Sequence, residues 1–294
     1  MPKVHHLDLE FHVQRHGSKA GSDLLLLHGF LGSGKQFGHL FPELGRVVNP
    51  ITIDIIPSQP GARLNAPTLV EGLQKALDRI SSGTPTPPWL LGYSMGGRLA
   101  LSWAVRYPDS ASGLILESTT AGIADPEQRA LRRNADDARA QHIRRNFSEF
   151  LEEWDKNPLF RVPNASEKTG AAAKSGATGK ADTATEIHCS WHGERHARLA
   201  AIQRSQDPEV MARWIADFGT GSMPPLWDEL HQLRKPVLVI TGASDPKFCD
   251  LADRMVELLP YARHEIIPKA AHRVHVDNPV GYLSCLMSFL DKSD

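Results

Sequence analysis

The sequence predicts an α/β fold in which a mostly parallel central sheet is flanked by helices and interrupted by an inserted helical cap. Short apolar runs alternate with helical patterns up to residue 118, and the same rhythm returns after residue 226. Strands that alternate with helices are typical of parallel sheets covered on both faces. Between residues 119 and 225 this rhythm is replaced by helical patterns broken by proline and glycine. We therefore expect a core made of residues 1–118 and 226–294 and a cap made of residues 119–225.

The individual elements follow from the apolar runs in chain order. A run that is apolar throughout, such as residues 23–27, predicts a strand buried on both faces, whereas residues 9–14 are expected to form an edge strand. The other expected strands are residues 47–54, 89–91, 113–117, 236–241 and 264–267, and the expected core helices are residues 68–80, 97–104 and 280–290.

Composition limits the classes of partner. The chain has 294 residues, 41% hydrophobic content and a formal net charge of −1, so it can bury a large core and carries no excess charge of either sign. Nucleic acid and anionic membrane are therefore not expected as partners. Residues 1–17 lack an apolar signal core and no apolar run is long enough to span a bilayer, which predicts a cytoplasmic location. The three cysteines contain no CxxC pair, which argues against a disulfide framework or a thiolate metal site.

Residues 164–185 within the cap have low sequence complexity and few apolar anchors. Such a composition predicts a mobile loop. A tolerated surface insertion is favoured over a flexible tip that covers the site.

The sequence between residues 92 and 96, GYSMG, matches the glycine-x-serine-x-glycine pattern of a nucleophile elbow. It follows an apolar run and precedes an amphipathic helix, which is the context that such an elbow requires. Glycines on either side allow the helix backbone to approach the serine closely. Ser94 is therefore the candidate nucleophile.

A serine hydroxyl needs a histidine to take its proton and an acid to hold that histidine in the right tautomer. Asp245 is the candidate acid because it lies just past a buried strand, at the edge where α/β sheets bind ligands. His272 is the candidate base because it lies in a loop of small residues after the last apolar strand. His275 is the rival base, but we expect it to begin the last helix or to pack beside the site.

An oxyanion hole in this arrangement uses the backbone N–H of the residue after the nucleophile and one from the loop after an early strand. Met95 supplies the first and Phe30, which follows the strand at residues 23–27, is the natural second donor. We interpret His28, in the same loop, as a structural residue rather than a base.

Arg98 lies four residues after Ser94 on the same predicted helix. A guanidinium is a planar fork that matches a carboxylate, so an arginine beside the nucleophile favours an anionic substrate over a neutral ester. Most arginines of the cap are expected to be solvated, because the cap also carries many acidic residues.

Six segments of the chain carry a family resemblance: HGFLGSG at 28–34, GYSMGGRLAL at 92–101, EQRALR at 127–132, WDKNPLF at 154–160, GASDPKF at 242–248 and AH at 271–272. On these segments, and over nearly its whole length, the chain resembles the α/β-hydrolase-fold synthases that make 2-succinyl-6-hydroxy-2,4-cyclohexadiene-1-carboxylate in menaquinone biosynthesis. The HGF and GxSxG elements are shared by the whole superfamily, whereas the arginine after the elbow and the cap motifs EQRALR and WDKNPLF are narrower signals. The family's Pro-Gly-Leu ahead of the cap is replaced by Ala-Gly-Ile at 121–123.

The resemblance implies a role for each matching position. The family's catalytic triad falls on Ser94, Asp245 and His272. Its substrate-binding arginines fall on Arg98, Arg132 and Arg204, and its aromatic positions near the substrate fall on Tyr93 and Trp154.

The reaction implied by the resemblance is the elimination of pyruvate from a small polycarboxylate, with no metal or organic cofactor. Two other functions remain open on the residues alone. A carboxylesterase or carbon-carbon bond hydrolase would use the same triad, since the fold does not determine the reaction. A ligand receptor that kept the hydrolase shell would tolerate a defective triad, and here every member is present.

Overall fold

The computed structural model describes residues 3–17, 21–59, 61–80, 86–163 and 183–291, with backbone only for residues 183–192. Within these ranges the chain forms eight strands in one sheet. They are β1 (Lys3–His6), β2 (Leu9–Arg15), β3 (Asp23–Leu27), β4 (Asn49–Pro57), β5 (Trp89–Tyr93), β6 (Gly113–Glu117), β7 (Val237–Gly242) and β8 (Ala262–Ile267).

Ten α-helices accompany the strands in the described residues. They are α1 (Phe41–Leu44), α2 (Ala66–Ile80), α3 (Met95–Arg106), α4 (Pro126–Arg145), α5 (Phe147–Asp155), α6 (Thr183–Arg204), α7 (Pro208–Phe218), α8 (Pro246–Leu258), α9 (Val274–Asp277) and α10 (Pro279–Asp291).

The strand order in the sheet is β1-β2-β4-β3-β5-β6-β7-β8. Strands β3 to β8 pair in parallel, whereas β1 and β2 pair antiparallel at one side of the sheet. Every residue of β3, β5, β6 and β7 is buried, as expected for strands covered by helices on both faces. The predicted fold class is confirmed: the chain has a mostly parallel sheet flanked by helices.

The prediction that residues 9–14 form an edge strand is wrong. Strand β2 lies between β1 and β4, and β1 is the edge strand on that side. Strand β1 was missed because it is only four residues long and alternates exposed Lys3 and His5 with buried Val4 and His6. The predicted strand at 47–54 begins later and runs further, over Asn49–Pro57.

Helices α4 to α7 lie between β6 and β7, in the segment where the sequence predicted a helical cap. Three of them begin with a side-chain cap, because Asp125, Asn146 and Asp207 each accept a hydrogen bond from a backbone N–H of the first turn. Of the low-complexity loop expected at 164–185, residues 164–182 lie outside the described residues, and α6 already begins at Thr183. That the segment forms a cap distinct from the core stays a prediction.

None of the described helices is long and apolar enough to cross a membrane. Two of the three cysteines, Cys249 and Cys285, are free thiols of intermediate burial, and the side chain of Cys189 lies outside the described residues.

Candidate active site

Ser94 lies on the sharp turn between β5 and α3 and has a φ of 50°, which a non-glycine residue rarely adopts. Its backbone N–H donates to Glu117 O at 2.8 Å, and its carbonyl accepts from Thr119 Oγ1 at 2.8 Å. A Cβ atom on Gly92 would lie 2.5 Å from Gly96 O, so only glycine allows the turn to close this tightly. The turn therefore holds the Ser94 hydroxyl at the carboxyl edge of the sheet.

The structure brings together the three residues expected to form a triad. His272 Nε2 lies 3.1 Å from Ser94 Oγ, and His272 Nδ1 lies 2.8 Å from Asp245 Oδ2. His272 and Asp245 are 3% and 2% exposed. Because a carboxylate accepts, Nδ1 carries the proton that is donated to Asp245, and Nε2 is left to accept the proton of the Ser94 hydroxyl.

Local structure positions the acid and the base. Asp245 follows β7 and caps α8, where its Oδ1 accepts from Phe248 N at 3.3 Å. His272 lies in the loop between β8 and α9, and its ring packs edge-on against the Phe248 ring at 4.4 Å between centroids. Its backbone N–H donates to Leu159 O at 3.2 Å, so the segment between β6 and β7 contacts the candidate base directly.

The two expected oxyanion donors border the same cavity as Ser94. Met95 is the first residue of α3, where a backbone N–H has no partner within the helix. Neither Phe30 N nor Met95 N donates a hydrogen bond to another described residue. Both N–H groups are therefore available to a ligand beside Ser94.

A cavity of about 370 Å³ opens above Ser94, bordered by β-strand ends and by helices α4 to α7. The described residues that line it include five cationic side chains and no aspartate or glutamate. The cationic residues are Arg98, Arg132, Arg139, Lys247 and Arg273. This imbalance favours an anionic ligand.

Arg98 is 7% exposed and its guanidinium borders the cavity. Its Nη1 donates to Phe218 O at 2.8 Å, and the guanidinium lies 5.0 Å from the centroid of the Phe218 ring. No carboxylate among the described residues forms an ion pair with it. Burial lowers the pKa of Arg98 to about 9, with repulsion from Arg132 acting in the same direction and attraction to Asp136 opposing it, so the group is still a cation at neutral pH. A buried cation without an ion-pair partner is costly, and an anionic ligand would offset that cost.

Arg132 and Arg139 share the fully buried carboxylate of Asp136. Asp136 Oδ1 accepts from Arg132 Nε at 2.8 Å and from Arg139 Nη1 at 2.9 Å. This carboxylate orients both guanidinium groups at the border of the cavity, and it leaves the Nη groups of Arg132 without a protein partner in the described structure.

Tyr93 and Trp154 also line the cavity, as the resemblance implies, whereas Arg204 does not. Arg204 lies exposed at the end of α6, and the preceding Gln203 is buried and borders the cavity instead. A helix turns about 100° per residue, so Gln203 rather than Arg204 occupies the inward position, and a substrate-binding role for Arg204 stays a prediction.

Three cationic residues of the cavity were not predicted as site residues from the sequence: Arg139, Lys247 and Arg273. Arg139 lies seven residues, two helical turns, after Arg132, a spacing that could have placed both on one face. Lys247 and Arg273 each lie within two residues of a predicted triad member, and this proximity could have identified them as residues near the site.

The two other histidines considered as bases have different surroundings. His275 is fully buried and its Nδ1 lies 2.7 Å from Glu117 Oε1. It packs beside the site, with its ring 4.8 Å from that of Tyr93, and it belongs to the short helix α9 rather than to the last helix. His28 Nδ1 donates to Gly29 O at 2.8 Å.

One group of potential metal ligands occurs in the described residues, outside the cavity lining, and consists of His142, Glu149 and Glu153. Glu149 lies 3.5 Å from His142 Nε2, whereas Glu153 lies 3.6 Å from His142 Nδ1. The carboxylates thus face opposite ring nitrogens, which suits two ionic contacts better than one bound ion.

Comparison with known proteins agrees with this geometry. The family model described as the alpha/beta hydrolase family matches residues 24–284. A Bacillus subtilis (strain 168) protein is 31% identical over 96% of this chain and 95% of its own, and its name provisionally gives it as a 2-succinyl-6-hydroxy-2,4-cyclohexadiene-1-carboxylate synthase. This chain belongs to that synthase family, within the α/β hydrolases.

Two further members support the assignment to the synthase family. The synthase of Klebsiella pneumoniae subsp. pneumoniae is 27% identical over 91% of this chain and 93% of its own. The solved structure of MenH from S. aureus superimposes with a TM-score of 0.81 and 28% identity, covering 96% of this chain and 98% of the other. Members of this family are lyases built on the hydrolase fold, so the resemblance predicted from the motifs is confirmed.

Proposed function

We propose that this protein is a 2-succinyl-6-hydroxy-2,4-cyclohexadiene-1-carboxylate synthase that eliminates pyruvate from 2-succinyl-5-enolpyruvyl-6-hydroxy-3-cyclohexene-1-carboxylate. The observation that carries the proposal is Arg98, a buried cation that forms no ion pair with a described carboxylate and borders the cavity above Ser94. A neutral ester would not offset the cost of burying this charge, whereas a carboxylate of the substrate would.

His272 starts the reaction by accepting the proton of the Ser94 hydroxyl at Nε2, 3.1 Å away. Asp245 holds Nδ1–H and stabilises the imidazolium that forms. The Ser94 oxygen then removes the proton from the ring carbon next to the succinyl ketone. No acyl-enzyme forms, because Ser94 acts as a base and not as a nucleophile toward the carbonyl.

The electron pair released from that carbon moves into the ketone, and the resulting enolate oxygen binds the N–H groups of Phe30 and Met95. In comparable sites, each well-placed donor contributes about 2.7 to 4 kcal/mol of barrier lowering. The enolate then collapses, the ring double bond shifts, and the carbon-oxygen bond to the enolpyruvyl group breaks. His272 returns the proton, so that the leaving group becomes pyruvate and the ring becomes the 2,4-diene.

The substrate carries three carboxylates, and the cationic lining supplies partners for them. Arg98 and the pair Arg132 and Arg139 would orient the ring so that its acidic carbon faces Ser94. Positioning of this kind converts binding energy into rate, because the reacting atoms are held at the required distance. The substrate class, the roles of these residues and a cytoplasmic location are all part of the proposal.

The test is release of pyruvate, followed with lactate dehydrogenase, from the enolpyruvyl substrate and, in parallel, hydrolysis of short p-nitrophenyl esters. We expect rapid pyruvate release and slow ester hydrolysis. Efficient ester hydrolysis without pyruvate would instead identify a carboxylesterase and overturn the proposal.

A further inference from the structure

Arg273 follows the candidate base directly and borders the cavity, yet no motif implied a role for it. Its side chain is 8% exposed. Its guanidinium carbon lies 3.8 Å from the centroid of the Phe160 ring, so the planar group is stacked on that ring. The stacking fixes the plane of the fork before any ligand arrives.

Within the part of the chain that the structure describes, most N–H donors of the Arg273 guanidinium have no acceptor. Nη2 donates to Asp155 Oδ1 at 3.1 Å. The remaining side-chain nitrogens have no partner among the described residues, and none of them is completely enclosed by protein atoms. A guanidinium has five N–H donors, so a carboxylate in the cavity would find free donors here.

Asp155 is a weak competitor for this guanidinium. Its side chain is 44% exposed, and the ion pair has one contact at 3.1 Å rather than a two-point fork. Ion pairs of exposed carboxylates contribute little, because water solvates the acid when it leaves. A substrate carboxylate, held by the rest of the cavity, can therefore displace Asp155 from Arg273.

Arg273 is separate from the other arginines of the cavity in its contacts. Arg98 contacts Phe218, and Arg132 and Arg139 contact Asp136, whereas Arg273 contacts Asp155 and Phe160 beside the candidate base. The arginines of the cavity thus form two groups that share no protein partner. Two such groups fit a ligand with two separated carboxylates better than a ligand with one.

We propose that Arg273 is a specificity-determining residue. It releases Asp155 and binds a second carboxylate of the substrate in its place. The first carboxylate is bound by Arg98 and the pair Arg132 and Arg139. This inference rests on the proposed function for the identity of the substrate, but the selection of dicarboxylates over monocarboxylates can be measured without turnover.

The first experiment compares the kinetics of pyruvate release in Arg273→Gln, Arg273→Lys and Asp155→Asn. We expect Arg273→Gln to raise KM about tenfold or more with a smaller change in kcat, and Arg273→Lys to recover part of the loss. Asp155→Asn should leave KM unchanged or lower it, because the competing carboxylate is gone. If Asp155→Asn raises KM as much as Arg273→Gln does, the ion pair between Arg273 and Asp155 is structural and the proposal is overturned. The proposal is also overturned if neither variant changes KM.

The second experiment measures binding by titration calorimetry in a Ser94→Ala background, so that no reaction occurs. The probes are 2-succinylbenzoate, which carries a ring carboxylate and a succinyl carboxylate as the synthase product does, and benzoate, which carries one. We expect the dicarboxylate to bind at least tenfold more tightly, and Arg273→Gln to abolish most of this difference. A preference that survives Arg273→Gln, or the absence of any preference in Ser94→Ala, would refute the proposal.

The two proposals fail in distinguishable ways. If the wild-type protein releases no pyruvate but its dicarboxylate preference depends on Arg273, the synthase assignment is wrong and the carboxylate site stands. If pyruvate is released and the preference for the dicarboxylate over the monocarboxylate does not depend on Arg273, only the proposed carboxylate site is wrong. Thermal unfolding of each variant shows whether a lost signal reflects misfolding, and Arg273→Lys supplies a folded comparison with the charge retained.

Discussion

Glu117 and His275 form a buried carboxylate-imidazole pair directly beside the candidate site. Glu117 Oε1 accepts from His275 N at 3.1 Å and lies 2.7 Å from His275 Nδ1, and both residues are 0% exposed. The backbone carbonyl of the same Glu117 accepts from Ser94 N at 2.8 Å. One residue at the end of β6 therefore links the elbow to α9, the helix that follows the loop with His272.

Removing one member of this pair should be costly. Glu117→Leu leaves the His275 donors buried without an acceptor, and we expect the free energy of unfolding to fall by about 3 to 5 kcal/mol. Glu117→Gln, which keeps an acceptor oxygen, should lose distinctly less. Urea unfolding at pH 7 measures both, and equal stability of the two variants would contradict the structural role of the pair.

Ser94→Ala should abolish synthase turnover without unfolding the protein. Loss of the proton-accepting oxygen is expected to lower kcat by roughly 10³-fold or more. The melting temperature should stay close to that of the wild type, since Ser94 makes its structural hydrogen bonds through its backbone. Pyruvate release at an unchanged rate would exclude Ser94 as the base.

Arg98→Met should weaken the interaction with the substrate while leaving the fold intact. The variant loses the buried cation that pairs with a substrate carboxylate. We therefore expect kcat/KM to fall by an amount that corresponds to about 2 to 4 kcal/mol of additional activation free energy. Arg129→Met is a matched control, because Arg129 also donates to a backbone carbonyl, Ile123 O, at 2.8 Å but does not line the cavity. Equal effects of the two variants on kcat/KM would remove Arg98 from the binding site.

Gly96→Ala should disrupt the elbow. A Cβ atom at this position would overlap the carbonyl oxygen of Leu27, so either β3 or α3 must move. We expect a lower melting temperature and a large loss of activity. Gly193→Ala is the control, because a Cβ there meets no atom of the described residues within 4 Å. This substitution should be neutral or slightly stabilising in a helix. A Gly96→Ala protein with wild-type melting and activity would show that the close approach is not required.

His39 predicts a stability change in mild acid. Burial, helped by the nearby His275 and Arg195, lowers the pKa of His39 from 6.5 to about 4. The unfolded chain therefore binds a proton at higher pH than the folded one, so this contribution to stability is full above about pH 6.5 and is lost as the pH falls toward 4. His39→Gln keeps an N–H donor for His275 O and does not titrate. The wild type should lose more stability than His39→Gln between pH 7 and pH 5 in urea unfolding; a constant difference would contradict the shift.

Features that depend on neighbouring residues in the chain were predictable from the sequence. The apolar runs of β3, β5, β6 and β7 are buried at every position, because a strand covered on both faces has no polar side. The elbow was predictable for a similar reason, since only glycine allows the backbone approach around Ser94. Loop position after apolar strands was enough to select Asp245 and His272 from the many acids and histidines.

Features that depend on which distant surfaces meet were decided only by the tertiary structure. Strand β1 is the edge of the sheet because β2 has a partner on both sides, which its own sequence does not reveal. Arg204 is exposed and lies outside the cavity lining because of how α6 packs. Arg273 borders the cavity because Phe160 and Asp155, more than 110 residues earlier in the chain, hold its guanidinium there. Backbone propensity and hydrophobic periodicity are local properties and determine the elements, whereas the direction of a long charged side chain is set by long-range packing and electrostatics, which only the folded chain supplies.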